Sequence, residues 1–536
     1  MLAPVPPARR FRSRPPLPLA AVSTVVGVAF AGPLVYLVVR NGQAGTSGAG
    51  ALTSGDTLGA LRRTLLLAAT VAAAASVLGT ALAWLVTRAA LPLRRVWRVL
   101  AALPLVVPSF VGALALIAAF APGGLLEEGL GLAVGGRVRG YWAAFVVLTL
   151  FTYPYVYLPV AARLGSLPAS HEEAARSLGR NPQQVFASVV LPQITGAIAA
   201  GGLLVFLYVV SDFGAVSLLR YDTLTTRIES DRLFDRDSAA AMGLVLALVA
   251  LVLVVSERAL ARRRAQIEAV ATGRPGPPVP LGRATVPALG FVALVVTGAL
   301  LVPLTVLGYW AWRGLDGRAG AVQGDLDVGS LVAPALNTAG IGVIAALVTA
   351  AALLPVAYLT VRHRSRVAGT VNALVVSGFA LPGLVIALAL VFWVLQAPLV
   401  GSLYQTFPLL VFAYVVHFGA QALRASQVAV AGVPRRLDDA ARGLGAGRAR
   451  RLATIDLPIM LPGLGAGAGL VLLSTMKELP ATLFLAPIGF DTLATRIWGS
   501  TQDGFLAEAG LAALVLVVVS GALTWFLIIR HLERTG

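Results

Sequence analysis

Runs of about twenty apolar residues recur along the whole chain, and this recurrence constrains the fold more than any single motif. Each run is long enough to cross roughly 30 Å of hydrocarbon as a helix. In lipid the backbone can satisfy its own hydrogen bonds only as helices or as a closed barrel, and barrel strands need only about ten residues. Twelve spans are read, centred near residues 28, 75, 110, 150, 205, 247, 297, 346, 382, 414, 469 and 519. Composition agrees: 58% of the 536 residues are hydrophobic and 12% are charged, with a mean hydropathy of +0.84. A water-soluble core of ordinary composition does not cover that much apolar surface. The predicted class is an all-α integral membrane protein.

Charge then orients the spans. Arg9, Arg10, Arg12 and Arg14 precede the apolar stretch Leu17 to Val39, which is long for a signal-peptide core and reads as an uncleaved first span with a cytoplasmic start. With charges assigned to alternate loops, one set holds 29 of the 42 Lys and Arg against 8 of the 24 Asp and Glu, a balance of +21. The other set holds 13 against 16, a balance of −3. The basic set is the cytoplasmic one by the positive-inside rule, so both termini are predicted on that side. A nucleic-acid binder would gather its charge on one soluble module, whereas here arginine returns at every second loop.

Several chemistries are excluded by residue type. With no cysteine, the chain has no disulfide, thiolate metal site or cysteine nucleophile. His171, His363, His417 and His531 lie far apart and form no HExxH pair, so no catalytic residue or metal site is assigned. The sole lysine, Lys477, precedes Glu478, so no GxxxxGK[ST] phosphate loop exists. ATP and Mg, if they drive this protein, belong on another chain, and no cofactor is expected on this one.

The chain is also written twice. EEAARSLGRNPQQVFASVVLP at 172–192 returns as DDAARGLGAGRARRLATIDLP at 438–458, an offset of 266. Pro168 and Pro434, and Asp212 and Glu478, share that offset; DTLTTRI at 222 and DTLATRI at 491 differ by 269; Thr64 and Thr338, and Pro108 and Pro382, differ by 274. Drift of a few residues, taken up in loops, marks a duplicated unit. The predicted organisation is a first half, 1–256, a basic and proline-rich cytoplasmic linker, 257–287, and a second half, 288–536. Six spans separate equivalent points, so the two six-helix repeats are parallel, related by an axis along the membrane normal, with a path expected between them.

The repeated segment falls in a cytoplasmic loop between the fourth and fifth spans of each half, 167–192 and 433–458. Acidic residues near the start suit a helix dipole, Gly179 and Gly445 suit a left-handed helix terminus, and Asn181-Pro182 opens a second helix running up to Leu191-Pro192. The pattern predicts a helix, a turn and another helix on the cytoplasmic surface.

The segment resembles the loop signature of binding-protein-dependent ABC importer permeases: EAA, three residues, glycine, nine residues, an aliphatic residue, then x-L-P. Glu173, Ala174, Ala175, Gly179, Val189, Leu191 and Pro192 fit, after a first acid at Glu172. In the second copy Ala440, Ala441, Gly445, Ile455, Leu457 and Pro458 fit after Asp438, with Asp439 one methylene shorter than the family's glutamate. The resemblance implies a type I permease with both halves fused, two copies of an ABC ATPase docked on the loops, and a periplasmic or lipid-anchored substrate-binding protein. LNT at 336–338, KELPATLFL at 477–485, FDTLATRIW at 490–498 and SDFGAV at 211–216 look most like the ferric-ion subgroup, with thiamine and phosphonate permeases sharing the architecture.

Asp212 and Glu478 stand about 18 and 17 residues into helices taken to begin near Ile194 and Leu461, roughly 26 Å along and near the outer interface. They are either hydrated or helix-end charges beside Lys477, or a carboxylate pair on the translocation path that suits a hard cation. A secondary transporter would place more ionisable groups in mid-span and give the repeated loop no purpose. A membrane enzyme would need a reactive cluster that the sequence does not provide.

Overall fold

A computed structural model describes residues 15–129, 131, 138–268, 278–317, 326–363, 365–397 and 400–524. The N-terminal arginines, the C-terminal residues after 524 and part of the linker lie outside the described residues. The chain is helical almost throughout, and among the described residues the only strand-like feature is an isolated bridge between Ala89 and Val279.

Ten helices are long and apolar enough to span: Leu17–Gly45, Gly55–Arg88, Tyr141–Ser166, Pro182–Ser211, Arg236–Ser256, Gly282–Leu315, Val328–Arg362, Phe407–Gly432, Ala449–Met476 and Leu506–Leu523. Two bent pairs complete the twelve, Arg94–Val106 with Ser109–Ala119 and Arg366–Gly378 with Gly383–Gln396. They occupy the third and ninth positions and turn through 94° and 100°. The cause is visible in sequence: Pro108 and Pro382 sit at the breaks, and a proline supplies no N–H to carry a helix through.

The sixth helix runs on from Arg236 to Glu268, through the arginines at 262–264, and helical structure resumes at Gly282.

Small residues let the spans approach closely, as expected where lipid supplies no hydrophobic drive between helices. A Cβ added at Gly79 would lie 2.8 Å from the Tyr153 carbonyl oxygen, and one at Gly201 would lie 2.6 Å from Val156 Cα. Those two glycines bring the second and fifth spans onto the fourth. The first span of each half packs on the other half as well as on its own last span. The first span lies along Val328–Arg362 and the Arg366 segment, with Gly27 against Val371. The seventh lies along Ser109–Ala119, where Trp310 Nε1 donates to the Ala118 carbonyl at 2.9 Å. The sequence repeats are therefore interlocked in space.

At the end of each half opposite the repeated loop, one brace recurs. The Leu224 N–H donates to Thr64 Oγ1 at 2.9 Å, and the Leu493 N–H to Thr338 Oγ1 at 2.8 Å. Thr223 and Thr492 cap the helices that follow, each exchanging hydrogen bonds with a threonine three residues on. These contacts explain why Thr64/Thr338 and the DTLxTRI stretches survive in both halves.

Candidate functional site

Two places carry the residues singled out from sequence. The first is the repeated loop. Its leading helix spans Ala169–Ser177 in one half and Arg435–Gly443 in the other, each after a proline, Pro168 or Pro434. Both end in the same way. Gly179 and Gly445 take φ of +79° and +77°, and their N–H groups bond Arg176 O and Arg442 O. The next residues, Arg180 and Ala446, reach back to Ala175 O and Ala441 O. A Cβ at either glycine would meet nothing within 4 Å, so the positive φ, not lack of room, calls for glycine.

The motif's two alanines divide their work. Ala175 and Ala441 turn inward, each 6% exposed, whereas Ala174 and Ala440 face out beside Glu173 and Asp439. Leu178 and Leu444 are 80% and 89% exposed at the helix ends. Each loop therefore presents an acid, a small residue and a leucine on one free face.

Glu172 faces inward instead. Its carboxylate pairs with the guanidinium of Arg88, a residue only 4% exposed, and with Arg176 at 3.5 Å. Arg88 is held in turn by the end of the linker, through Val279 N–H to Arg88 O at 2.7 Å and Ala90 N–H to Val279 O at 3.0 Å. In the second half Arg362 donates to the Val430 and Val433 carbonyls at 3.1 and 2.9 Å, bracing the start of its loop. Asp438 sits on the Arg435–Gly443 helix, and its side chain lies outside the described residues.

The expected second surface helix is absent as a separate element. Asn181 does cap a helix, exchanging bonds with Gln184, but that helix continues from Pro182 through a π-turn at Phe186–Val190 into the fifth span. A π-turn at Leu452–Asp456 precedes the eleventh span likewise. Pro192 and Pro458 are second residues of the α-helices that follow, where a missing N–H is tolerated after the wider turn.

The second place is a cavity of about 270 Å³ between the halves. It lies where both bent spans break and the fifth and eleventh spans end, so Asp212 and Glu478 both line it. Asp212 follows the last residue of Leu191–Ser211, and Glu478 follows Lys477 at the end of Leu457–Met476. Asp212 is 8% exposed and fully engaged. Ser109 donates to one oxygen, and the Ala215 and Val216 N–H groups donate to the other at 3.0 and 3.3 Å. Tyr208 donates to Ser109 Oγ at 3.1 Å.

Glu478 is held differently. One oxygen accepts the Ala481 N–H at 3.1 Å and the other lies 3.6 Å from His417 Nε2. The residue equivalent to Ser109 is Gly383, where a Cβ would come within 2.5 Å of the Glu478 carboxylate. Aspartate faces serine in one half and the longer glutamate faces glycine in the other, so the added methylene is matched by a removed side chain. The offset of 266 aligns the two acids, and the offset of 274 that relates Pro108 to Pro382 relates Ser109 to Gly383.

The halves touch directly here. Phe213 and Trp498 rings stand 5.3 Å apart, and Lys477 Nζ donates to the Leu105 carbonyl of the other half at 3.1 Å. Among the described residues no three His, Asp or Glu side chains converge as a metal site. The cavity offers two separated carboxylates, an imidazole, an ammonium and hydroxyls, a lining that can pass a polar solute without enclosing it in a tight cage.

Residues 75–266 and 339–535 each match the family described as binding-protein-dependent transport system inner membrane component. An Fe(3+)-transport system permease protein of Haemophilus influenzae is 30% identical over 515 residues, 95% of this chain and 97% of that one. A ferric transport system permease protein of Actinobacillus pleuropneumoniae is 23% identical over 87% of this chain and 70% of its own length. A sulfate transport system permease protein of Escherichia coli is 31% identical over 40% of this chain and 79% of its own.

Proposed function

Since the chain belongs to the binding-protein-dependent transport system inner membrane components, we propose that this ABC importer permease carries ferric iron across a bacterial inner membrane. A periplasmic or lipid-anchored binding protein delivers the iron, and two copies of a separate ATPase hydrolyse ATP with Mg. This chain binds no cofactor of its own. The observation that carries the reading is the pairing of two like-built helices at one end with a shared cavity between the halves.

In this reading each ATPase receives one loop. Glu173 and Leu178 form one docking face, and Asp439 and Leu444 the other, with Ala174 and Ala440 permitting close approach. The positive φ of Gly179 and Gly445 turns each helix back toward its span, so movement of the ATPase bears on the fifth and eleventh spans. The inward Ala175 and Ala441, the Arg88–Glu172 pair in the first half and Arg362 in the second, and the helix starts at Pro192 and Pro458 make each loop a stiff lever. Asp212 and Glu478 belong to the translocation path. The ferric assignment draws on the two ferric relatives and on the carboxylates, oxygen donors that suit a hard cation.

The orientation puts the loops, the linker and both termini in the cytoplasm. Single cysteines at Leu178 and Phe234, both exposed, test it in a cysteine-free chain. In intact cells an impermeant thiol reagent labels position 234 and spares 178; the reverse contradicts the orientation. Deleting this chain lowers uptake of radioactive iron and leaves thiamine and phosphonate uptake intact; unchanged iron uptake refutes the cargo.

A further inference from the structure

We propose that Lys477 is a latch between the halves, its ammonium holding the second half onto the Leu105 carbonyl of the first, and that this bond parts when the cavity opens. The proposal rests on the importer reading. Its test uses no iron, so the latch and the cargo can fail separately.

The carbonyl is available for a local reason. Leu105 lies in the 3-10 helix Leu103–Val106, where a carbonyl bonds the N–H three residues on. That residue is Pro108, which has no N–H. The proline that breaks the third span therefore leaves an acceptor turned to the cavity, and Lys477 takes it across 372 positions of sequence at 3.1 Å.

Among the described residues the arrangement occurs at one of the two breaks. The repeat offset of 266 places Ser211 opposite Lys477, and a serine side chain is too short for that reach. The two-fold-related break thus lacks an equivalent lysine, and one bond from the chain's only lysine ties one half to the other. The nearby carboxylates have other donors, Ser109 with Ala215 and Val216 for Asp212, and Ala481 for Glu478.

The latch also suits a cation cargo. An ammonium lining the same cavity as the carboxylates repels an arriving cation, and within a low-dielectric cavity that repulsion is felt over several ångströms. Arrival of cargo and release of the latch are therefore coupled in sign.

Two variants and one labelling experiment test the proposal. Lys477→Met removes the donor; Lys477→Arg keeps one. With the permease and its ATPase in nanodiscs, Met raises ATP hydrolysis without binding protein by about tenfold, the scale of one charge-assisted hydrogen bond, and Arg stays within about twofold of wild type. Wild-type hydrolysis in both variants, or an equal rise in both, overturns the latch. The labelling arm needs no variant. Trace acetylation of Lys477 by acetic anhydride, read by mass spectrometry, is about tenfold slower in the nucleotide-free complex than after trapping with ATP and vanadate. Equal rates in the two states overturn the proposal.

Discussion

The two halves share a backbone and differ in how they hold it. At the loops they agree closely: the same helix length, the same left-handed glycine, the same outward acid, alanine and leucine. At the cavity they diverge. Asp212 is fixed by Ser109 and two backbone N–H groups, whereas Glu478 has one backbone donor, a histidine at 3.6 Å and the latch lysine as its neighbour. On the proposed docking, a surface that fits two copies of one partner keeps its symmetry. On the proposed path, a cavity crossed by a single solute has no such constraint, and there the duplicated sequence has drifted in compensated steps.

That contrast can be broken most forcefully at the loops. Glu173→Lys with Asp439→Lys abolishes ATPase co-purification, a loss of more than about a hundredfold if each docked acid contributes one charge-assisted contact. Each single variant weakens association by about tenfold, equally for the two, because the faces are built alike. Normal assembly and uptake in the double variant defeat the docking role, and a strong inequality between the singles defeats the symmetry.

A smaller effect is expected from exchanging the cavity pairs. Asp212→Glu alone pushes a carboxylate into Ser109, and adding Ser109→Gly recreates the arrangement of the second half. The pair recovers about 1 kcal/mol of the stability lost by the single change, the usual coupling between touching residues, read by thermal unfolding in detergent. Simple additivity would mean that the serine and glycine are not matched to their acids.

The helix-end glycines should give the smallest effect and an equal one. Gly179→Ala and Gly445→Ala each cost about 1 kcal/mol locally from the left-handed conformation, since a Cβ meets no neighbour at either site. Hydrogen exchange of the two loops measures this. Unequal protection changes would show that the loops differ in packing despite their matching φ.

Much of the fold is legible in the sequence for simple reasons. Span number follows from apolar run length, and the breaks fall at the aligned prolines 108 and 382. The terminating glycines are recognisable because few residues tolerate positive φ. What escaped was set by tertiary contact. The second loop helix fuses with the fifth span because a π-turn absorbs Pro192, and local composition does not announce that. The exchange of first spans, the Ser109–Asp212 bond and the Lys477–Leu105 bond join residues a hundred or more positions apart. Repeat offsets could have pointed to Ser109 against Gly383, since a side chain was lost where the facing acid grew. Nothing in the sequence pairs Lys477 with a particular carbonyl.

The proposed transport path runs through the cavity between the halves, with both carboxylates on it. The direct test is Asp212→Asn with Glu478→Gln in proteoliposomes holding the permease, its ATPase and its binding protein. Iron uptake and binding-protein-stimulated ATP hydrolysis are measured in the same preparation. Both variants keep side-chain size, so the halves still assemble. Uptake falls at least about tenfold while stimulated hydrolysis persists, because the motor and its docking loops are untouched. Uptake equal to wild type would contradict it and leave Asp212 and Glu478 as helix-end caps.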